Sequence, residues 1–344
     1  MSAQLESLTN REKIILRHVV EDFIKSATPV GSKTISEKAD INLSPATIRN
    51  IMSNLEELSL LTHQHTSGGR LPTDKGYRYF VNEIMEVEPL KKREEEFLKK
   101  QFSDLDFPTE DIFREISKIL GKLSKEISIV SQPFISEGRL EKIELVLISS
   151  TRILVIVSVQ SGLIRTLMFE VDSQISAREL QNLASILNEK LAGLTLREIR
   201  DTFEARFKDL VPASRQVIKI FTDSIDRIFK DEQEGITIYI GGTTEILSQP
   251  EFLNLENYKS IIELTDDREV VVHVLNSIEF NNNNIFISIG SENNDEKLKN
   301  YSIVSTIYET NGVKGKIALI GPKRMNYSKM VSMLEYTSKI ISEY

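Results

Sequence analysis

Residues 44 to 53 read Ser-Pro-Ala-Thr-Ile-Arg-Asn-Ile-Met-Ser. Two of these side chains can each make paired hydrogen bonds to a base edge. The Arg49 guanidinium matches guanine O6 and N7, and the Asn50 amide matches adenine N6 and N7. In a helix, 100° per residue puts Ala46, Arg49, Asn50 and Ser53 on one face, with the Thr47 hydroxyl at its margin. Taken alone, the same stretch reads more readily as an amphipathic helix with a solvated polar face. Ser67-Gly68-Gly69-Arg70 follows. It sets a cation at the end of a glycine-rich turn, where a phosphate or a narrow minor groove could receive it. Lys33 and Arg78 are further candidates to anchor phosphates.

The elements that must hold these groups are readable from caps and periodicity. Thr9-Asn10-Arg11-Glu12 is a capping box, and Ile15, Val19 and Phe23 continue at helical spacing to about Ala27. Pro29-Val30-Gly31 interrupts, and Ser32 can cap a short helix to about Lys38 with Ile35 and Ala39 inward. Ser44 caps a third helix, and Pro45 takes its first position, where a missing N–H costs nothing. Ile48, Ile51, Leu55 and Leu58 are the expected inward stripe. Residues 60 to 65 read as a strand, Thr66 to Gly69 as a hairpin tip and Arg70-Leu71-Pro72 as a return strand, with Pro72 at an edge. Thr73 caps a fourth helix carrying Asp74, Lys75, Tyr77 and Arg78. Three helices followed by a two-stranded wing form a winged helix-turn-helix, with Arg70 expected at the wing tip.

Composition narrows the class. Residues 1 to 85 hold ten Lys or Arg and ten Asp or Glu, so the net charge of -8 belongs to the rest of the chain. A neutral DNA-binding segment has weak sequence-independent affinity, and binding must rest on a few placed cations and base contacts. There is no cysteine, hence no disulfide framework and no thiolate chemistry. No long apolar run spans a membrane and the first residues do not form a signal peptide, so the expected location is cytoplasmic. His63 and His65 could share a strand face, but no cysteine or third histidine completes a metal site, and none is expected. Gly241-Gly242-Thr243-Thr244 lacks the lysine of a phosphate-binding loop and reads as a turn. Gly321-Pro322-Lys323-Arg324 precedes the last helix. An anion site there is conceivable, and a turn is preferred. No clustered acid–base pair marks an enzyme, and no cofactor is expected.

Ser44 to Asn50, and Ser67-Gly68-Gly69-Arg70-Leu71-Pro72-Thr73-Asp74-Lys75-Gly76-Tyr77-Arg78, resemble the N-terminal domain of the heat-inducible transcription repressor HrcA family. Ile289-Gly290-Ser291-Glu292-Asn293 and Gly321-Pro322-Lys323-Arg324-Met325-Asn326-Tyr327 resemble that family's later signature stretches. The resemblance covers both ends of the chain, while residues 190 to 280 match by position alone. It implies an α+β multidomain protein: an N-terminal winged helix-turn-helix and a GAF-like sheet domain interrupted by an inserted dimerisation domain. It also implies a homodimeric repressor on double-stranded DNA, at an inverted-repeat CIRCE operator ahead of chaperone operons. The GroEL-type chaperonin would maintain its activity, and heat would release it. The expected DNA-contacting residues are Ser44 (through cap geometry), Thr47, Arg49, Asn50, Ser53, Arg70, Lys33 and Arg78. An alternative is a metabolite-responsive regulator whose GAF-like part binds a small molecule.

The expected layout is residues 1–85 for the winged helix, 86–108 for a charged helical connector, 109–192 and 283–344 for the two parts of the GAF-like domain, and 193–282 for the insertion. A helix is expected from Thr109 to about Ile127. Strands are expected at 143–148, 153–159 and 162–171, then at 285–289, 302–308 and 316–320, all in one sheet. Helices are expected at 176–191, 195–207 and 213–229, strands at 235–240 and 270–274, a polar loop at 280–284 and a last helix from about 327 to 341.

Overall fold

A computed structural model of the chain describes residues 8–38, 41–63, 69–103, 111–134, 138–160, 162, 164–170, 176–208, 221–229, 237–267, 270–272, 275, 284–310 and 312–343. The hairpin tip with His65, Ser67 and Gly68 lies outside them. So do residues 213–220 of the expected insertion helix and all of the polar loop except Asn284. The chain divides into two compact units. One comprises Met1–Val130, Tyr239–Thr306 and Ile317–Thr337; the other comprises Ser131–Ile238, Ile307–Lys316 and Ser338–Tyr344.

The first unit opens with α1 (Asn10–Ser26), α2 (Ser32–Ser36) and α3 (Pro45–Glu57), followed by β1 (Leu61–His63), β2 (Arg70–Pro72) and α4 (Asp74–Glu83). The caps read from the sequence are present. Thr9 and Glu12 close their capping box, with the Glu12 carboxylate 2.9 Å from the Thr9 amide. The Ser44 hydroxyl accepts from the Thr47 amide at 3.1 Å, and Thr73 accepts from Gly76. For α2 the cap is Gly31, and Ser32 is instead the first helical residue, buried. The inward stripe of α3 is Ile48, Met52 and Leu55. Ile51 and Leu58, expected there, are half-buried, because 3.6 residues per turn carries the stripe from 48 to 52 rather than to 51. This stripe packs α3 on α1 and α2. Gly76 lets α4 approach the end of the third helix: a Cβ there would lie 2.0 Å from the Leu60 carbonyl oxygen.

Two further helices follow, α5 (Lys92–Ser103) and α6 (Asp111–Ser124). Lys125, at φ 62°, ends the turn after α6, and the chain enters β3 (Ile127–Ser131), buried along its whole length. The sequence reading continued the helix to Ile127, because neither glycine nor proline marks the change. The second unit follows, with β4 (Leu140–Ser149), β5 (Arg152–Val159), β6 (Ile164–Glu170), α7 (Ala177–Leu191), α8 (Leu196–Arg206) and α9 (Ile225–Phe229). Then come β7 (Ile238–Gly241), α10 (Thr243–Ile246), α11 (Leu255–Asp266), β8 (Ile285–Ile289), β9 (Tyr301–Thr310), β10 (Val313–Pro322) and α12 (Tyr327–Glu343).

The six expected strands do not share one sheet. The late three join β3 and β7 in a five-stranded sheet of order β7-β3-β10-β9-β8, antiparallel where β10 meets β3 and where β8 meets β9. The early three form a separate antiparallel sheet, β4-β5-β6. That sheet completes its own core on the helices after it: Ile143, Val155 and Val157 pack with Leu183, Leu187 and Ile199. Asn188 on α7 binds both the amide and the carbonyl of Ile143, at 2.7 and 2.8 Å, and so fixes helix to strand. The opposite face is open and carries exposed apolar side chains beside the Arg152–Glu170 ion pair. Val146, Ile148, Ile164 and Met168 are 41, 53, 64 and 47 % exposed, and Val146, Leu154 and Met168 stand in one cross-strand row.

The expected strand at 270–274 is helical at its described residues, 270 to 272. The Asp267 carboxylate accepts from the Val270 amide at 3.3 Å, and buried Val271 and Leu275 stand four apart, the helical spacing. The architecture is nonetheless α+β and multidomain, with a winged helix-turn-helix at the N-terminal end and a mixed sheet part consistent with a GAF-like fold. Among the described residues, no helix is long and apolar enough to cross a membrane.

Candidate nucleic-acid interface

The third helix presents the face that the sequence assigns to it. Ala46, Thr47, Arg49 and Asn50 are exposed and Ser53 is half-buried. Arg49 and Asn50 have no side-chain partner among the described residues. Their donors and acceptors are therefore open to a base edge. Ser44 is exposed as well, but its oxygen is committed to the cap: it lies 3.1 Å from the Thr47 amide and 2.9 Å from the Thr47 hydroxyl. The cap fixes where the helix begins and holds Thr47 at its margin. Lys33, exposed on α2, is a second cation with no side-chain partner among the described residues.

The wing is held against this helix at three levels. Its strands pair Leu61 with Pro72, Thr62 with Leu71 and His63 with Arg70. The Arg70 backbone exchanges two hydrogen bonds with Val30, at 2.8 and 2.9 Å, which ties the return strand to the segment between α1 and α2. The Glu56 carboxylate, near the end of α3, takes His63 Nδ1 on one oxygen and Arg70 Nε on the other at 2.8 Å. The His63 hydrogen bond above all, with the Arg70 charge, holds this carboxyl below its ordinary value of 4.5, although burial works the other way. Arg70 therefore stands in the described strand pair nearest the hairpin tip, with its charge matched by Glu56. The imidazole of His63 is likewise engaged, and the metal pair imagined with His65 cannot be placed, since His65 is not described.

Arg78, on α4 as expected, also carries an acidic partner. Its guanidinium grips the Glu292 carboxylate through Nε at 2.7 Å and through Nη2, and Nη2 donates to the Ile287 carbonyl at 2.7 Å. A phosphate would have to displace Glu292. Of four cations expected to meet DNA, Lys33 and Arg49 are open, while Arg70 and Arg78 carry acidic partners.

The sequence reading did not pair Glu56 or Glu292 with these cations. An acid near the end of a recognition helix is ordinary by composition, and only the register of the wing shows which cations it meets. The glycine-rich candidates resolve as turns of the fold. At Gly242, with φ 82°, a Cβ would lie 2.0 Å from the Glu126 carbonyl oxygen, so close backbone packing against the end of α6 accounts for the glycine. In the 321–324 turn, Lys323 pairs with Asp74 at 2.7 Å, while Arg324 binds Glu251, Gln249 and the Ile24 carbonyl.

Comparison with known proteins bears on the same segments. Residues 7–86 match the family model described as a winged helix-turn-helix transcription repressor, HrcA DNA-binding. Residues 110–331 match the model of the HrcA protein C-terminal domain. A heat-inducible transcription repressor HrcA of Chlorobium phaeobacteroides (strain BS1) is 33% identical over 344 residues, with 97% of each chain covered. That of Bacillus pumilus (strain SAFR-032) is 34% identical over 339 residues, again with 97% of each covered. A crystal structure of a hypothetical protein superposes with a TM-score of 0.57 at 21% identity, covering 98% of both chains, and so shares the fold.

Proposed function

The chain belongs to the heat-inducible transcription repressor HrcA family, and from that premise we propose that it represses chaperone operons as a homodimer on an inverted-repeat operator of CIRCE type. It is a transcription repressor with a DNA-binding winged helix, not an enzyme. The observation that carries the operator reading is the outer face of α3, where Arg49 and Asn50 are exposed and unpartnered among the described residues. Thr47 and Ser53 flank them, Ser44 acts through the cap, and Lys33 and Arg70 supply phosphate contacts. Arg78 reaches a phosphate only if it leaves Glu292.

Dimerisation follows from the operator's dyad, since two half-sites need two recognition helices. The element best suited to it is the open face of β4-β5-β6, where exposed Val146 and Met168 share a row with Leu154 and exposed Ile148 and Ile164 lie toward its two ends. That face stands outside the inserted dimerisation domain expected at 193–282, and we extend the dimer element to include it. The other expected boundaries, 1–85, 86–108, 109–192 and 283–344, remain our proposed division. The GroEL-type chaperonin maintaining the active form, and a cytoplasmic location, follow from the family reading. The test is a gel shift with the purified protein on a chaperone-operon promoter, with and without chaperonin and after mild heating. Specific retardation that heating abolishes and chaperonin restores is expected. Equal binding to promoter and random DNA would overturn the reading.

A further inference from the structure

The three sequence stretches around Asp74–Arg78, Ile289–Asn293 and Gly321–Tyr327 meet in space. Asp74 and Arg78 lie one turn apart on α4, four residues in sequence, hence on one face of that helix. Asp74 pairs with Lys323 at 2.7 Å and accepts from the Ser291 amide at 2.9 Å. Arg78 grips Glu292 and the Ile287 carbonyl. Between them the Tyr77 and Tyr327 rings stand 6.0 Å apart. Gly290, at φ 55°, brings the receiving turn so close that a Cβ would lie 2.3 Å from an Asp74 carboxylate oxygen.

The polarity of this contact carries information. The helix offers a negative and then a positive group, and the receiving turns offer a positive and then a negative one. A slip of α4 by one turn would set Asp74 against Glu292 or Arg78 against Lys323, like charge on like charge. Crossed pairs of this kind select one register and orientation. In that orientation the Thr47, Arg49 and Asn50 face of α3 stays exposed, so the contact leaves the reading surface uncovered.

We propose that Asp74 and Arg78 are positioning residues that latch the winged helix to the five-stranded sheet through Lys323 and Glu292, and so fix the presentation of α3 that simultaneous binding of two half-sites requires. The inference rests on the dimeric repressor reading for its consequence at the operator, and on geometry alone for the latch. Loss of the latch leaves each winged helix able to bind one half-site but removes the gain from binding two at once, on the order of 100-fold or more.

The test uses the full chain with Arg78→Glu, Glu292→Arg and the double charge swap. Affinities for a single half-site and for the full inverted repeat are measured on each. Each single variant should lose most of the full-site advantage and keep its half-site affinity, and the swap should regain at least tenfold of what was lost. Arg78→Glu weakening both sites by one factor, with no rescue, would mean that Arg78 contacts phosphate and would overturn the latch. Because the chain has no cysteine, spin labels at Glu37→Cys and Asn294→Cys report the latch without DNA. A single narrow distance that broadens in Arg78→Glu and sharpens again in the swap supports it. A distribution already broad in the unaltered latch, or unmoved by Arg78→Glu, refutes it, whatever the DNA result. Wild-type protein that shows the narrow distance but no operator preference would leave the latch standing and sink the repressor reading instead.

Discussion

Arg49 is the residue on which sequence reading depends most directly. Its exposure and lack of a partner among the described residues mean that truncation leaves no buried group unpaired and, in the proposed reading, removes a base contact. Arg49→Ala should weaken operator binding by about 1–3 kcal/mol and relax preference at one base position. Competition assays with single-base operator variants measure both, and an unchanged preference would assign Arg49 to phosphate. Arg70 behaves differently because Glu56 already matches its charge. Its phosphate contribution is the difference between two anionic partners, so Arg70→Ala should flatten the salt slope by less than about one unit. Glu56→Gln should steepen that slope and raise affinity for random DNA, since Arg70 is freed; titrations across a salt series decide it. The pH sign is fixed too. The Glu56 carboxyl lies below its ordinary 4.5, so its hold on the wing is full above that value and is lost as pH falls through the lowered one.

At the scale of elements, tight backbone contacts rather than propensity set the joints. Gly76 sits in the first turn of α4 against the Leu60 carbonyl, and a methyl there must push helix from strand. Gly76→Ala should cost about 1–3 kcal/mol, although alanine is the better helix former; a thermal melt followed by circular dichroism reads the loss. The junction of α6 and β3 holds a buried carboxyl, Glu126, that accepts from Gln249 at 3.0 Å. Burial pushes this group well above its ordinary 4.5, and neither the Gln249 hydrogen bond nor the Arg324 charge offsets that. A raised value in the folded state means stability that is full below 4.5 and is lost as pH rises through the folded value. Glu126→Gln should therefore flatten the stability profile above pH 4.5, and denaturant midpoints across pH would show no change if Glu126 were ionised at no cost. The elements that sequence made readable are those with local signals. The capping box at Thr9, the Ser44–Pro45 start and the Thr73 cap are each written within four residues. The strand at Ile127 and the helical turn at Val270 were misread, because both depend on burial by distant segments. The pairing of Arg78 with Glu292 spans more than two hundred residues, and no local pattern encodes it.

For the whole molecule, charge and the open sheet face argue together about how binding is achieved. With ten cations and ten acids in residues 1 to 85 and a net charge of -8 overall, one winged helix attracts bulk DNA weakly. Arg70 and Arg78 are neutralised locally, which lowers the non-specific term further. In the proposed repressor reading, affinity for an operator then comes from holding two reading helices at once, in a dimer. The β4-β5-β6 face offers the surface for it: alternation along β4 and β6 sends Val146, Ile148, Ile164 and Met168 away from the covered side, and they remain exposed. A carboxylate placed in the middle of such a face would be desolvated in the dimer with no partner, a cost of several kcal/mol per copy, while in the monomer it stays in water. Met168→Asp, in the cross-strand row with Leu154 and Val146, should therefore shift the protein to monomer without lowering the monomer's melting temperature. Full-site affinity should fall by on the order of 100-fold, and half-site affinity should hold. Sedimentation velocity and paired titrations give the two readouts. A variant that stays dimeric would move the interface off this sheet, and one that becomes monomeric yet keeps full-site affinity would remove dimerisation from the account of operator binding.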